Sequence, residues 1–130
     1  MFDDTRPIFQ QLADRLADEI LRGVYREEEQ VPSTNELAVQ LRINPATAGK
    51  ALTLLVERGV LYKKRGIGMF VAPNAPAIIE TERQQAFSAR YLVPLLAEAR
   101  ALGLSPSDII ELIENATSES SPQPVKDIAS

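Results

Sequence analysis

Three groups of residues could make contacts with a polyanion, and all of them lie between positions 33 and 68. Hydroxyls, amides and free backbone N–H groups at a helix start can donate to a phosphate. Lysine can donate to a phosphate or to guanine O6 and N7, and threonine can touch a phosphate or a thymine methyl group. The residue types leave these partners open. The candidate contacts are Ser33, Thr34, Asn35, Asn44, Pro45, Ala46, Thr47, Gly49, Lys50, Lys63, Lys64, Arg65, Gly66 and Gly68.

The charge distribution supports a polyanionic partner although the net charge of the chain is −4. Residues 42–74 contain six basic side chains and one acidic side chain, Glu57, which gives a local sum of +5. From Ala75 onward there are four basic and eight acidic residues, a sum of −4. A basic block of this kind is the usual footprint of nucleic-acid binding.

The composition argues against catalysis, metal binding and membrane insertion. The chain has no cysteine and no histidine, so it lacks thiolate ligands, the commonest metal ligand and the commonest general base. Its carboxylates are not paired in apolar surroundings that would tune acid–base chemistry. It contains neither a long apolar run nor a secretory signal. We therefore expect a cytoplasmic protein that is not an enzyme, needs no cofactor and has no membrane partner.

Short helices should position these candidate contacts. Apolar residues recur every four positions from Ile8 to Val24, which predicts a helix over residues 7–23. Ser33 followed by Glu36 forms a capping-box pattern, which predicts a second helix over residues 34–41. After a tight break, Asn44 and Pro45 are favourable as the cap and first residue of a third helix, which should end near residue 58.

Two strands should follow, over residues 61–63 and 69–71, with a basic turn containing Gly66 and Gly68 between them. Two capped helices separated by a tight break, and then a basic hairpin, are typical of a winged helix-turn-helix domain. We assign this domain to residues 5–74. The small side chains of Ala46, Thr47 and Gly49 would let the third helix, the recognition helix of about residues 45–58, approach base edges in the major groove, while residues 61–71 form the basic wing.

The remaining sequence predicts two more helices, so the fold class is mainly α with a small β-hairpin. Pro73 and Pro76 bracket a linker, a long helix follows, and a cap at Ser105 begins the last helix. The wide apolar stripe of the long helix exceeds what a short partner helix can cover, so residues 75–116 should form a two-helix dimerisation segment, followed by a disordered tail over 117–130. The expected interface residues are Ile79, Arg83, Phe87, Tyr91, Leu92, Leu95, Leu96, Leu102, Ile109, Leu112 and Ile113.

Other interpretations of the same features stay open at this stage. The cap at Ser33 fits any helix start, and the basic tip also fits a solvated turn or a strand edge protected by lysines. A winged helix can serve as a protein-interaction module, since a fold does not fix a function. The stripe of Phe87, Tyr91 and Leu95 fits packing better than a ligand pocket. The order and spacing of these features, taken together, favour DNA binding over each of these alternatives.

The residues resemble the GntR family of bacterial transcription regulators, and residues 43–47 resemble its YtrA-like subgroup, which has a short C-terminal part of about two helices. The segments that carry the resemblance are Pro7-Ile8-Phe9, Gln11-Leu12, Val31-Pro32-Ser33, Glu36-Leu37-Ala38, Gly59-Val60-Leu61 and Gly66-Ile67-Gly68-Met69-Phe70-Val71.

The resemblance implies a homodimer that binds a pseudo-palindromic operator in double-stranded DNA and represses its own operon, which often encodes a membrane transporter. Two departures matter. Asn35 stands where many members have an arginine, and Gly49-Lys50 stands where paired arginines often lie, so fewer bidentate guanine contacts are expected. An unidentified small-molecule effector, if there is one, would bind between the C-terminal helices near Arg83, Phe87 and Tyr91.

Overall fold

A computed structural model describes residues 2–120, which form two compact units divided between Gln84 and Gln85. The fold is mainly helical with one antiparallel hairpin, as the sequence predicts. The first unit contains α1 (Ile8–Leu21), α2 (Thr34–Leu41), α3 (Pro45–Glu57), β1 (Leu61–Lys64), β2 (Gly68–Val71) and most of α4 (Ala75–Phe87). The second contains the end of α4, a π-helical turn (Ser88–Leu92), α5 (Val93–Ala101) and α6 (Pro106–Ser120).

The core of the first unit is built on α1 and α3. Leu12 and Leu16 on one helix and Leu52 and Leu55 on the other are buried, as their spacing of four and three residues predicts. Val24, which continues the same spacing, lies beyond the end of α1 and is 50% exposed. The amphipathic pattern therefore predicts the buried face of α1 and overestimates its length.

Local hydrogen bonds fix the bounds of α2 and the start of α3. The Ser33 hydroxyl accepts from the Glu36 N–H at 3.1 Å, and the Glu36 carboxylate accepts from the Ser33 N–H at 2.8 Å. α2 ends at Arg42, whose left-handed φ of 55° turns the chain towards α3. Asn44 then caps α3 by accepting from the Ala46 N–H at 2.8 Å. These caps satisfy N–H groups that a helix start otherwise leaves unpaired.

Residues 28–31 pair with the free edge of β2 and so extend the hairpin. β1 and β2 pair with Leu61 opposite Val71 and Lys64 opposite Gly68. On the other side of β2, the Val31 N–H donates to the Met69 carbonyl at 3.0 Å, and Gln30 bridges Phe70. The segment that precedes α2 therefore holds β2 against the helical core.

α4 begins in the region that the sequence predicts as a linker. Ala75 is fully buried, and Ile79 is 2% exposed within the core of the first unit. The prediction that Ile79 belongs to a dimer interface is therefore wrong. Its spacing indicates a buried helical face, but spacing carries no information about which surface covers that face.

Arg83, another residue of the predicted interface, makes an ion pair within the chain while its side chain stays 44% exposed. Its guanidinium Nη1 lies 2.7 Å from Oδ1 of Asp18, and Nη2 donates to the Asp14 carbonyl at 3.4 Å. Arg83 thus ties α4 to α1 inside the first unit. The bond is solvent-accessible, so its contribution to the free energy of unfolding is small, about 0.2–1 kcal/mol.

The second unit differs from the single long helix expected from the sequence. Pro94 has no N–H and its ring would crowd the carbonyl of residue 90, and the helix widens into the π turn just before it. α6 starts with a reciprocal cap between Ser105 and Asp108 and continues through Ser120, four residues into the predicted tail. Residues 121–130 of that tail lie outside the described part. Between positions 2 and 120, no helix is long and apolar enough to cross a bilayer.

Candidate nucleic-acid interface

The start of α3 and the start of α1 together form a shallow depression of about 470 Å³. Thr47 and Lys50 contribute polar groups to it, and Phe9 forms an apolar wall. The Lys50 ammonium lies 4.3 Å from the centre of the Phe9 ring, where a cation–π contact holds it at the surface. The full lining is Pro7, Ile8, Phe9, Ala46, Thr47 and Lys50.

Gly49 lies at the contact between α2 and α3. A Cβ at this glycine would be 3.6 Å from the Thr34 side chain, an ordinary van der Waals distance. Gly49 and Thr34 are both half-buried, whereas Asn44, Pro45 and Ala46 are exposed at the start of α3. The start of α2 therefore lies beside Gly49, the residue that precedes Lys50 in α3.

A groove of about 280 Å³ separates the start of α2 from the wing, residues 61–71. Lys63 lies on the wing side of this groove, and Ser33 and Asn35 lie on the α2 side. The remaining lining residues are Gln30, Val31, Thr34, Leu52, Gly68 and Met69. Thr34, which lines the groove, lies beside Gly49 of α3, and the groove and the α3 depression are together called the reading face below.

Lys64 does not share the groove with Lys63. Successive side chains of a strand point to opposite faces, and the Lys64 ammonium lies 4.3 Å from the Phe70 ring centre and 5.9 Å from the Tyr62 ring centre. The basic tip is thus split between two faces of the hairpin. Arg65 and Gly66 are exposed in the turn between the strands.

The reading face is electropositive because its linings lack carboxylates. Among the described residues, no aspartate or glutamate lines either the α3 depression or the wing groove. The nearby Glu28 accepts a hydrogen bond from the Tyr62 hydroxyl on the other side of the hairpin, and this bond raises the pKa of Tyr62. Tyr62 therefore stays a neutral donor at physiological pH. Within residues 2–120, no group of acidic side chains is arranged to hold a metal ion.

Two residues of the reading face escape the sequence analysis. Phe9 lies in the first helix, where an aromatic residue normally signals packing, and only the fold brings it to Lys50. Gln30 lies in a polar stretch with no periodicity, yet its side-chain Nε2 donates to the Ile67 carbonyl in the wing at 3.0 Å. The position of Gln30 one residue before a buried valine is the only local signal for this contact.

Comparison with known proteins places the same segment in a family. The model for bacterial regulatory proteins of the gntR family matches residues 8–71. A crystal structure of a GntR-family transcriptional regulator from Bacteroides thetaiotaomicron is 33% identical and superposes with a TM-score of 0.72 over 88% of this chain and 99% of its own. The transcriptional repressor YtrA of Bacillus subtilis is 26% identical over 87% of this chain and 86% of its own.

A third comparison is with a DNA-bound domain. The DNA-binding domain of AraR, in a crystal structure with an operator, is 30% identical over 55% of this chain and 93% of its own, with a TM-score of 0.52. The matches to YtrA and to the Bacteroides regulator extend through the C-terminal helices, in agreement with the predicted resemblance. With a winged helix-turn-helix fold, a basic reading face and these relatives, the chain belongs to the GntR family of transcription regulators.

Proposed function

We propose that the chain is a repressor that binds a pseudo-palindromic operator as a homodimer through its reading face. The observation that carries this proposal is that Lys50 lines the depression at the start of α3, Lys63 lines the groove between α2 and the wing, and no carboxylate lines either of them. A duplex that contacts α3 in its major groove would reach the wing without leaving the basic surface. The matches to an operator-bound AraR domain and to the repressor YtrA support the same function.

Within this proposal, α3 reads bases and the wing positions the duplex. Thr47 and Lys50 are the polar side chains nearest the start of α3, where recognition helices contact base edges. Ser33, Asn35 and Lys63 line the groove next to them and would donate to phosphate oxygens. Phosphate contacts fix the register, and base contacts give the sequence preference.

Selection of bound sequences from random duplex DNA tests this function most directly. We expect a consensus with two inverted half-sites about one helical turn apart. A reporter gene placed behind that consensus should lose expression when the protein is produced. Recovery of no consensus, together with no salt-sensitive shift of duplex DNA, would overturn the proposal.

The homodimer part of the proposal depends on the second unit. Its helices leave large apolar side chains uncovered, and Phe87 and Leu102 are each 64% exposed. A second copy of the same surface is the simplest cover, because two-fold interfaces are self-complementary. The exposed members of the predicted interface are Phe87, Tyr91, Leu92, Leu95, Leu96, Leu102, Leu112 and Ile113, and Ile109 is half-buried beside them. Any effector site at this interface would lie near Phe87, Tyr91 and Arg83, whose guanidinium also pairs with Asp18.

Disruption of this interface should be visible as a change of mass. The chain has a mass of 14.3 kDa, and we expect light scattering at micromolar concentration to give twice that value. Leu95→Asp combined with Leu96→Asp should give the monomer mass while circular dichroism retains the helical signal. As a control, Val39→Asp alters a side chain that is 79% exposed on α2 and should leave the dimer intact. A monomer mass for the unsubstituted chain would contradict the dimer.

Substitutions at Asn44 should separate folding from DNA binding. Asn44→Ala removes the acceptor for the Ala46 N–H and should lower the free energy of unfolding by about 1 kcal/mol. Asn44→Asp keeps the acceptor and should leave stability unchanged, because aspartate and asparagine cap helices equally well. The added negative charge at the exposed start of α3 should nevertheless weaken duplex binding about tenfold, because it would repel the phosphates of a duplex held there. Equal DNA affinity of Asn44→Asp and the unsubstituted chain would argue against the reading face.

A further inference from the structure

Gln30 connects the chain before α2 to the tip of the wing. Its backbone bridges Phe70 in β2, and its side-chain Nε2 donates to the Ile67 carbonyl at 3.0 Å. The bond joins residues 37 positions apart in the sequence. It is the only hydrogen bond from a side chain outside the hairpin to the wing turn among those found in the described residues.

Gly68 provides the space that this contact requires. A Cβ at position 68 would overlap the Gln30 amide nitrogen and lie 3.4 Å from its Cδ. The φ of Gly68 is also 149°, a value that residues other than glycine rarely adopt. Glycine at position 68 therefore leaves the space in which the Gln30 amide reaches the Ile67 carbonyl.

The wing turn has little other support. Ile67 is 64% exposed, Arg65 and Gly66 are exposed, and the turn itself is closed by one backbone bond from the Ile67 N–H to the Lys64 carbonyl. A turn with two glycines and few contacts samples many conformations unless another group holds it. Gln30 also lines the groove in which Lys63 lies, so it holds the turn next to the residue that would contact phosphate.

We propose that Gln30 is a positioning residue for DNA binding, which fixes the wing so that Lys63 is held beside the start of α2. This inference rests on the proposed function and deepens it by assigning a role to a residue outside the helix-turn-helix and the wing. Gln30 acts through the wing backbone, because its Nε2 is bonded to the Ile67 carbonyl. Lys63 supplies the charge, and Gln30 holds the wing so that the Lys63 ammonium reaches a phosphate.

The test uses Gln30→Met, which keeps the length of the side chain and removes the N–H donor without adding charge. The probe is a mixed-sequence duplex of about 30 base pairs, long enough for two half-sites one turn apart. We expect Gln30→Met to weaken binding about fivefold, as loss of one hydrogen bond implies. The salt slope should fall in magnitude by about 2 per dimer, because two phosphate contacts are no longer held. Gln40→Met, an exposed glutamine on α2, is the matched control and should change neither quantity.

A double-mutant cycle with Lys63→Ala separates positioning from direct contact. If Gln30 acts through Lys63, Gln30→Met should not weaken duplex binding further in the Lys63→Ala background. The thermal midpoint of Gln30→Met should match that of the unsubstituted chain. Additive losses, or a lower affinity at an unchanged salt slope, would overturn the inference.

Amide exchange of the DNA-free protein keeps this test distinct from the proposed function. Gln30→Met should speed exchange at residues 66–68 and leave α1 and α3 unchanged. Unchanged exchange in the turn would overturn the positioning role even if the protein binds DNA. Failure of the unsubstituted chain to bind any duplex would overturn the proposed function, while faster turn exchange would still establish the contact.

Discussion

Replacement of Lys63, Lys64 and Arg65 together by alanine is expected to weaken duplex binding by about a hundredfold or more at 0.1 M salt. Each dimer would lose six positive charges near the duplex. If all six neutralise phosphates, the slope of log affinity against log salt should become less steep by about 5. Titration of a fluorescent duplex at several salt concentrations measures both quantities.

The three single substitutions should differ, because the two lysines lie on opposite faces of the hairpin. Lys63 lines the groove beside α2, so Lys63→Ala should account for more of the loss than Lys64→Ala. Lys64 lies over the Phe70 ring, so Lys64→Ala should lower stability slightly, by about 0.5–1 kcal/mol. A larger binding loss for Lys64→Ala than for Lys63→Ala would contradict this assignment of faces.

A basic residue at the opposite end of α3 provides the control. Arg58 follows the last residue of α3 and is exposed, whereas the proposed base contacts lie at the start of the same helix. Arg58→Ala removes one charge per subunit and should change affinity less than twofold. If the triple variant still bound duplex DNA as tightly as the unsubstituted chain, the wing would have no part in binding.

Ile79→Ala is expected to lower the free energy of unfolding by about 3 kcal/mol, because it removes buried methyl groups and leaves a cavity. Ile79 is 2% exposed in the core of the first unit, so there is no room for solvent to compensate. The thermal midpoint should fall by about 10 °C, and a thermal scan with circular dichroism measures it.

The dependence on protein concentration identifies where Ile79 packs. If it belongs to the core of one chain, the drop in midpoint should be the same at every protein concentration. If it belonged to a dimer interface, the drop would grow as the protein is diluted. Ile67→Ala is the control, because Ile67 is 64% exposed and should change stability by less than about 0.5 kcal/mol. A stability loss for Ile79→Ala no larger than this would contradict the core position.

The sequence predicts the elements of the first unit well where the signals are local. The cap at Ser33 gives the start of α2, since a capping box is a set of contacts within four residues. The glycines of the wing predict the turn of the hairpin, and the strands are each one residue longer than predicted. Ile79 shows where this reasoning fails, because a helical stripe has the same period whether its own domain or another chain covers it.

The candidate site shows the same difference between local signals, which the sequence carries, and long-range contacts, which it does not. The recognition helix and the basic tip are local in sequence, and the structure places Thr34 and Lys63 in one groove and Lys50 in the depression at the start of α3. The opposite direction of Lys64 was available from strand alternation once β1 was known to include residue 64. The contacts of Phe9 and Gln30 join residues 41 and 37 positions apart, and no local pattern encodes them.

The left-handed backbone at Arg42 has a consequence for how such a chain can diverge. The backbone of Arg42 sets the angle between α2 and α3. Its φ of 55° is tolerated by asparagine or glycine and strongly disfavoured for valine or isoleucine. A β-branched residue at position 42 would change the direction of α3 while every side chain of the reading face stayed the same. Drift at position 42 can therefore silence the regulator without touching its specificity.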